Sequence, residues 1–240
     1  MAEEHSTPAA PAPVAHHYKL HHDPLSSHQQ IARLVRELKP SPILDVGSAQ
    51  GMLGRNLKDS GLELDGVEPN VAWAESARPF YRRMYPATIE NASLPKKHYK
   101  AVVCADVLEH TVDPVAVLKQ LRDHATDDAT FIISLPNIAH LSIRMLLLFG
   151  QFPKMNRGLL DRTHLHFFTR DTATQMLKSA GLKVQRRFAT VAPLAEVWRK
   201  GEGTLPFAAM WHTQHIALRL SPGLFAYQWI LVATPTTNQK

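Results

Sequence analysis

Residues 43–51, I-L-D-V-G-S-A-Q-G, constrain the fold more than any other stretch of this chain. The first four form the short apolar run that is typical of a strand buried in a parallel sheet. Asp45 interrupts that run, at a position where a charge is costly unless it has a partner. Gly47 and Gly51 then bracket a turn that leads into a helical pattern. A strand, a glycine-bearing turn and a helix N-terminus together form a cradle for a polar ligand.

Apolar strand patterns and amphipathic helical patterns alternate along the rest of the chain. The predicted strands are 43–46, 62–67, 87–90, 100–105, 129–135, 182–189 and 226–233. The predicted helices are 26–38, 51–60, 70–80, 113–124 and 169–180. This alternation predicts an α/β fold, with a Rossmann-like doubly wound sheet of about seven mainly parallel strands and the last strand antiparallel.

The pattern divides the chain into a tail and one domain. Residues 1–24, rich in Ala, Pro and His, are expected to be disordered, and residues 25–240 to form the domain. Two segments, about 137–168 and 193–222, are too long for simple turns. Because ligands bind at the carboxyl ends of the strands in an open α/β sheet, these insertions are predicted to form a substrate pocket and its lid.

Composition disfavours several classes of protein. The one cysteine, Cys104, excludes an internal disulfide and a cysteine-cluster metal site, which fits a cytoplasmic protein. We expect no signal peptide, and no apolar run approaches the roughly 18 residues that a membrane span needs. The net charge of +6 comes from scattered basic residues, so nucleic acid is not an expected partner. Peripheral contact with a membrane surface stays open.

The glycine turn also indicates the ligand. The dinucleotide fingerprint G-x-G-x-x-G has a middle glycine that lets the backbone touch a pyrophosphate, and the turn G-S-A-Q-G lacks it. Asp45, two places before the first glycine, would repel a phosphate and attract an ammonium. These features favour S-adenosylmethionine, which carries an amino acid tail and no phosphate.

With that ligand, D-V-G-S-A-Q-G resembles the first motif, D-x-G-x-G-x-G, of class I S-adenosylmethionine-dependent methyltransferases. Ala49 stands where the middle glycine usually lies. Glu68, at the end of the second strand, matches the family acid that holds both ribose hydroxyls, and C-A-D-V-L-E-H at 104–110 resembles the fourth motif. L-P-N-I-A-H at 135–140 and G-L-L-D-R-T-H-L-H-F-F-T at 158–169 are similar to a bacterial small-molecule branch related to the ubiquinone-biosynthesis O-methyltransferases.

The resemblance implies a donor site at the carboxyl ends of the strands. The cofactor would be S-adenosyl-L-methionine, with S-adenosyl-L-homocysteine as the product. The predicted cofactor-binding residues are Asp45, Gly47, Ser48, Gly51, Glu68, Pro69, Asn91, Ala92, Asp106 and Val107. No metal is expected, because the histidines lack a recognisable ligand spacing with carboxylates.

Methyl transfer from a sulfonium is an in-line displacement, so the enzyme mainly aligns the reacting atoms in a dry pocket. A hydroxyl acceptor must also lose a proton, and histidine is the commonest base for this task. The candidate catalytic residues are His164, His140 and His166, and the candidate substrate-binding residues are Asn137, Arg144, Asp161 and Arg162. Asp161 and Arg162 either pair with each other or fix a polar substrate. For Glu109 a structural role is at least as well supported as catalysis.

The sequence therefore predicts a methyltransferase that O-methylates a small-molecule or glycan-type acceptor with a histidine as general base, acting as a monomer or homodimer. One alternative is an N- or carboxyl-methyltransferase of the same fold, with a fatty-acid-like acceptor for example. Another is a catalytically silent cofactor-binding module. A nicotinamide dehydrogenase is disfavoured by the missing dinucleotide glycine pattern.

Overall fold

The computed structural model describes residues 23–198 and 201–236, in which one seven-stranded sheet has helices on both faces. The strands are β1 (Ile43–Val46), β2 (Leu64–Val67), β3 (Arg83–Tyr85), β4 (Tyr99–Ala105), β5 (Ala125–Pro136), β6 (Leu182–Ala189) and β7 (Gln228–Pro235). Their order across the sheet is β3-β2-β1-β4-β5-β7-β6. Strands β1 to β5 pair in parallel, whereas β7 is antiparallel to both β5 and β6. The predicted doubly wound sheet with an antiparallel last strand is confirmed.

The helices of the described residues follow the strands in turn. They are α1 (Ser27–Leu38), α2 (Met52–Leu57), α3 (Val71–Ala77), α4 (Pro114–His124), α5 (Leu141–Leu148), α6 (Arg170–Ser179), α7 (Leu194–Val197), α8 (Leu205–Leu220) and α9 (Pro222–Phe225). Short 3₁₀ turns lie at Arg78–Phe80 and Leu108–His110. Ser26, Asp113 and Thr169 each accept a backbone N–H from the first turn of the helix that follows them. Such side-chain caps explain why these helices begin where the sequence predicts.

Side chains alternate along the strands and enter two apolar layers. In β1, Leu44 and Val46 pack in the layer covered by α4 and α6. Ile43 packs in the opposite layer, which α1, α2 and α3 cover. By the same alternation Asp45 faces the second layer, so its carboxyl lies among apolar side chains.

The third strand lies earlier in the chain than predicted. The sequence pattern assigns a strand to 87–90, and this assignment is wrong, because β3 ends at Tyr85. The segment after β3 forms a turn in which the Asn91 N–H donates to the Thr88 carbonyl at 3.1 Å. Ile89 is buried, but it packs into the core from this turn rather than from a strand.

The two insertions follow β5 and β6. Residues 137–168 contain α5 and a loop, and residues 193–222 contain α7 and α8, with 199–200 outside the described residues. The predicted disordered tail lies outside the described residues except for its last two positions. One of these, Asp23, accepts a hydrogen bond from the indole N–H of Trp211 at 2.7 Å. This bond attaches residue 23 to α8.

None of the helices in the described ranges combines the length and the apolar character needed to cross a membrane.

Candidate active site

The loop between β1 and α2 contains three left-handed backbone conformations. The φ angle is +66° at Gly47, +46° at Ala49 and +78° at Gly51. A Cβ atom on Gly47 would lie 2.5 Å from Cγ2 of Val107, so the turns after β1 and β4 meet too closely for a side chain there. Ala49 adopts a conformation that costs a non-glycine residue about 1 kcal/mol. Ala49 therefore takes up a backbone conformation that glycine adopts without this cost.

Glu68 follows β2 and joins two loops of the same sheet edge. Its Oε2 accepts the N–H of Ala49 at 2.9 Å, and its Oε1 accepts the N–H of Asn70 at 2.9 Å. Burial raises the pKa of Glu68, and these two backbone N–H groups oppose the rise. Because Asn70 caps α3, the carboxylate fixes the glycine loop against the start of that helix.

Asp45 has a local partner for its buried carboxyl. The Tyr81 hydroxyl donates to Oδ2 at 2.6 Å and accepts the N–H of Gly54 at 3.2 Å. Burial raises the pKa of Asp45 to about 7, and the hydrogen bond from Tyr81 opposes the rise. Through Tyr81 the carboxyl connects β1 to α2, which explains how it is accommodated inside a buried strand.

Asp106 closes the turn after β4. It has a φ of +56°, an uncommon value for a residue with a side chain. Its Oδ1 accepts a hydrogen bond from the Ser134 hydroxyl at 2.7 Å, and its Oδ2 accepts one from Nε2 of Gln228 at 2.7 Å. The carboxylate therefore joins the ends of β4, β5 and β7 at the edge where ligands of this fold bind.

The remaining predicted cofactor residues lie on the loops around this edge. Ser48 is buried, whereas Pro69 and Asn91 are exposed. Ala92 and Val107 are partly buried and pack against the apolar layer under α4 and α6. The role of these five residues in cofactor binding stays a prediction.

A cavity of about 550 Å³ lies at the same edge of the sheet. Its walls come from the start of α1, the turn after β4, residues 156–164 of the first insertion and the start of β7. Its polar lining includes Asp106, Glu109, His110, Asp161, His164 and Gln228. Trp73 of α3 also lines it. The cavity therefore reaches the donor edge, which is the part of the sheet edge formed by the Gly47–Gly51 loop and Glu68. The volume is in the range of small-molecule sites.

His164 is the one member of the three predicted catalytic histidines that lines this cavity. Its Nδ1 atom is buried and has no hydrogen-bond partner among the described residues. Burial lowers the pKa of His164, and the neighbouring His110, whose ring centroid is 4.8 Å away, lowers it further. A neutral imidazole with a free nitrogen can accept a proton or bind a cation.

The other two histidines make local structural contacts. His140 caps α5, where its Nδ1 accepts the N–H of Ser142 at 3.2 Å, and burial lowers its pKa. Nε2 of His166 donates to the carbonyl of Val112 at 3.1 Å. Each of these rings thus has one nitrogen engaged with the chain next to the cavity.

Two of the predicted substrate-binding residues hold the first insertion in place. Asn137 is fully buried, donates from Nδ2 to the Ala226 carbonyl at 2.8 Å and pairs with Phe168 in an isolated β-bridge. Arg144 is exposed on α5 and donates from Nε to the Ala139 carbonyl at 2.7 Å. The contacts of Asn137 join the beginning and the end of the insertion.

The other two, Asp161 and Arg162, line the cavity. Oδ1 of Asp161 accepts both the N–H and the hydroxyl of Thr163, at 2.8 and 2.7 Å. In the described part of the chain no ion pair joins Asp161 to Arg162. Their contact with a polar substrate therefore stays the prediction for this pair.

Glu109 and His110 have a larger part in the site than the sequence indicates. Glu109 is 1% exposed, and neither of its carboxyl oxygens has a hydrogen-bond partner in the described structure. Burial raises its pKa well above the usual range, and nearby Asp106 raises it further. Its backbone carbonyl accepts the N–H groups of Leu165 and His166 at 2.8 and 3.1 Å, so the first insertion is attached to this turn. The D-V-L-E-H motif was the available signal, since it places an acid and a histidine side by side at the ligand edge.

A family comparison agrees with this geometry. Residues 19–186, well over half of the chain, match the family model described as a methyltransferase domain. The chain belongs to this methyltransferase family. The predicted class I S-adenosylmethionine-dependent methyltransferase is confirmed.

Curated relatives of the methyltransferase cover most of its length. It is 24% identical over 173 residues to the ubiquinone biosynthesis O-methyltransferase of Nitrosospira multiformis, with 68% of this chain and 71% of the relative aligned. It is 27% identical over 185 residues to the protein of the same name from Dinoroseobacter shibae, with 71% and 74% aligned.

Solved structures similar to the methyltransferase share its fold. A S-adenosylmethionine-dependent methyltransferase from Archaeoglobus fulgidus has a TM-score of 0.57 at 19% identity, covering 87% of this chain and 94% of that one. The magnesium protoporphyrin IX methyltransferase of Synechocystis, solved with bound S-adenosylhomocysteine, has a TM-score of 0.59 at 16% identity, covering 88% and 82%. At these identities the similarity shows the fold alone.

The donor edge of the methyltransferase fits S-adenosylmethionine. The residues that would hold it are those of the Gly47–Gly51 loop, with Glu68 beside them. Glu68 is held between two backbone N–H groups, so its carboxylate is fixed at the edge where vicinal hydroxyls could bind to it. The close approach of Gly47 to Val107 keeps the loop free of side chains at this point.

Proposed function

We propose that the methyltransferase transfers a methyl group to a hydroxyl oxygen of a small-molecule or glycan-type acceptor bound in the 550 Å³ cavity. The observation that carries the proposal is the position of His164, which has an unpartnered buried nitrogen in a cavity that adjoins the donor edge. The names of the curated relatives, which are O-methyltransferases, support the same chemistry.

S-adenosylmethionine supplies the methyl group on a sulfonium, which is already a good leaving group. The chain must therefore align the acceptor, exclude water and receive the hydroxyl proton. Asp106 and Gln228 lie where the cavity meets the donor edge, and their mutual hydrogen bond holds this wall in place. Asp161 and Arg162 line the part of the cavity formed by the insertion, where they are available to a polar acceptor.

Among the candidate histidines, His164 is best placed to take the proton. Its lowered pKa keeps the ring neutral at pH 7, so that a lone pair is available. Nδ1 of His140 is occupied at the start of α5, and Nε2 of His166 is occupied by the Val112 carbonyl. We assign these two histidines to positioning the insertion.

An acceptor panel with radiolabelled S-adenosylmethionine tests the proposed function. Hydroxylated aromatics and sugars are compared with fatty acids and amines, and the labelled products are treated with mild alkali. We expect label in hydroxyl-bearing acceptors that survives alkali, since methyl ethers are stable and methyl esters are hydrolysed. Label confined to amines, or released by alkali, would replace the proposal by an N- or carboxyl-methyltransferase. Absence of any S-adenosylmethionine binding in calorimetry would overturn the proposal.

A further inference from the structure

Three side chains of the cavity, those of Glu109, His110 and His164, face one another. The possible ligand atoms of Glu109, His110 and His164 all lie within 4.8 Å of one another. Both carboxyl oxygens of Glu109 and Nδ1 of His164 are buried, and none has a hydrogen-bond partner among the described residues. Because burying an unpartnered polar group is costly, this arrangement calls for a ligand that the chain itself does not supply.

We propose that Glu109, His110 and His164 bind a divalent first-row transition metal ion such as Mn²⁺ or Zn²⁺. One carboxylate and two imidazoles form a donor set that suits these ions better than Mg²⁺ or Ca²⁺, which prefer oxygen ligands throughout. This site goes beyond the proposed O-methylation and does not depend on it. It also replaces the expectation of no metal, since the fold brings His164 to a pair of residues from which it is distant in sequence.

The contacts of His110 support its role as a ligand. Nδ1 of His110 donates to the carbonyl of Thr163 at 3.2 Å, which leaves the lone pair of a neutral ring on Nε2. A metal-binding histidine usually donates its other ring N–H to a carbonyl or carboxylate in this way, which fixes the tautomer and the orientation of the ring.

Backbone contacts hold the two halves of the site together. The Glu109 carbonyl accepts the N–H groups of Leu165 and His166, directly after His164. The turn after β4 and the first insertion are thus joined on both sides of the three side chains. The site is therefore set by backbone hydrogen bonds as well as by side-chain packing.

The proposed metal site opens into the cavity, because all three ligands line it. A metal ion with three protein ligands keeps a further position for water or a substrate oxygen. Asp106, Asp161, Arg157 and Arg162 all line the same cavity, so side chains of both charges surround the proposed site. The two arginines are exposed.

A bound metal ion would change the role of His164. A hydroxyl coordinated to such an ion loses its proton more readily, so the metal would take over the task assigned above to a His164 base. This consequence, unlike the metal site itself, rests on the proposed function.

The first test measures metal binding by the full chain after treatment with a chelator. Mn²⁺ alone is titrated, and free Mn²⁺ is followed by electron paramagnetic resonance, with Zn²⁺ in equilibrium dialysis as a second probe. We expect Glu109→Gln and His164→Ala each to lose one site that the wild type has. His98→Ala is the matched control, since His98 directly precedes β4 at the opposite edge of the sheet, and it should keep that site. Histidines outside the described residues contribute equally to all four proteins, so equal binding by wild type and Glu109→Gln overturns the proposal.

Thermal unfolding separates a metal ligand from a structural acid. Without metal, Glu109→Gln should melt at the same temperature as the wild type or higher, because it removes a buried carboxyl that has no partner. Added Mn²⁺ should raise the Tm of the wild type and of His98→Ala, but not that of Glu109→Gln. A lower Tm of metal-free Glu109→Gln, or an equal Mn²⁺ effect on every protein, would assign Glu109 to the fold instead. Calorimetry with S-adenosylmethionine on the same samples tests the methyl donor separately, so a failure there leaves the metal result intact.

Discussion

The donor edge and the acceptor cavity differ in how their acidic side chains are satisfied. On the donor side each oxygen of Glu68 accepts a backbone N–H, and Asp45 accepts the hydroxyl of Tyr81. In the cavity Glu109 is equally buried, but both of its oxygens lack a partner among the described residues. The donor side is thus preorganised by the chain's own groups, whereas the cavity is complete only with a ligand.

Asp106 lies between the two regions and resembles the donor side. Its two oxygens accept hydrogen bonds from Ser134 and Gln228, on neighbouring strands. Glu109, three residues further along the chain, has no such hydrogen bonds to its carboxyl oxygens among the described residues. The change occurs within one short turn, between a partly exposed carboxylate and a buried one. The comparison predicts that substitutions on the two sides affect different measured quantities.

The largest expected effect comes from the cavity. His164→Ala should lower turnover about 100- to 10,000-fold, as expected for loss of a group that removes a proton or holds the metal that does so. The affinity for S-adenosylmethionine should stay unchanged, because His164 belongs to the first insertion and not to the Gly47–Gly51 loop or to Glu68. Turnover is measured with an acceptor found in the panel, and affinity by calorimetry. His98→Ala should match the wild type in both. A parallel loss of donor affinity and turnover would show that the two regions act as one site.

Asp45 gives the largest expected effect on stability. Its pKa rises from 3.8 to about 7 in the fold, so the folded state favours the protonated carboxyl. The resulting stabilisation is complete below about pH 4 and is lost as the pH rises to about 7. The difference between the two pKa values corresponds to about 4 kcal/mol in the free energy of unfolding. Asp45→Asn keeps a partner for Tyr81 and does not titrate, so it should gain stability relative to the wild type as the pH rises.

Urea unfolding at about pH 4 and about pH 8 measures this difference. The exposed Asp59 provides the control, because Asp59→Asn should leave the pH dependence of the wild type unchanged. Parallel pH profiles for Asp45→Asn and the wild type would mean that Asp45 is ionised in the folded state. That result would support the predicted attraction of Asp45 for an ammonium, because an ionised carboxylate attracts a cation.

The same two regions differ in how far the sequence predicts them. The donor edge depends on Gly47, Gly51 and Glu68, each of which occupies a short local motif at the end of a strand. Chain geometry fixes such positions once the strand is recognised, so β1 and the glycine turn are predicted correctly. The Rossmann-like sheet follows from the same alternation of strands and helices.

The cavity depends on contacts between segments that are distant in sequence. Glu109 and His110 are visible as part of D-V-L-E-H, but only the packing of the first insertion brings His164 to them. The sequence does not predict the hydrogen bond between Asp45 and Tyr81 either. Tyr81 follows a 3₁₀ turn, and sequence periodicity does not locate such a turn. Sequence patterns report the face and the period of an element, whereas these pairings are decided by tertiary packing.

A smaller effect is expected on the donor side, where Glu68→Ala should change the affinity for S-adenosylmethionine. Glu68→Ala should weaken S-adenosylmethionine binding by about 1.5–3 kcal/mol, the usual value of a hydrogen bond to a charged group. The substitution also frees the N–H of Ala49, so the glycine loop loses an anchor. Calorimetry measures the affinity, and Glu75→Ala, which removes an exposed acid of α3, is the control. If Glu68→Ala binds S-adenosylmethionine with unchanged affinity, Glu68 does not bind the donor. If Glu68→Ala loses Mn²⁺ binding, Glu68 contributes to the metal site in the cavity.

The smallest expected effect is a gain in stability. Ala49 has a φ of +46°, which glycine adopts without the steric cost that a Cβ brings. Ala49→Gly should therefore stabilise the protein by about 0.5–1 kcal/mol in urea unfolding, after the greater freedom of glycine in the unfolded chain is subtracted. Ala87→Gly is the matched control, because Ala87 lies in a loop outside the left-handed positions and should lose stability. If Ala49→Gly also loses stability, the alanine methyl group contributes more to the folded state than its left-handed conformation costs. In that case the preorganisation of the donor edge would require more of the sequence than its glycines and its acid.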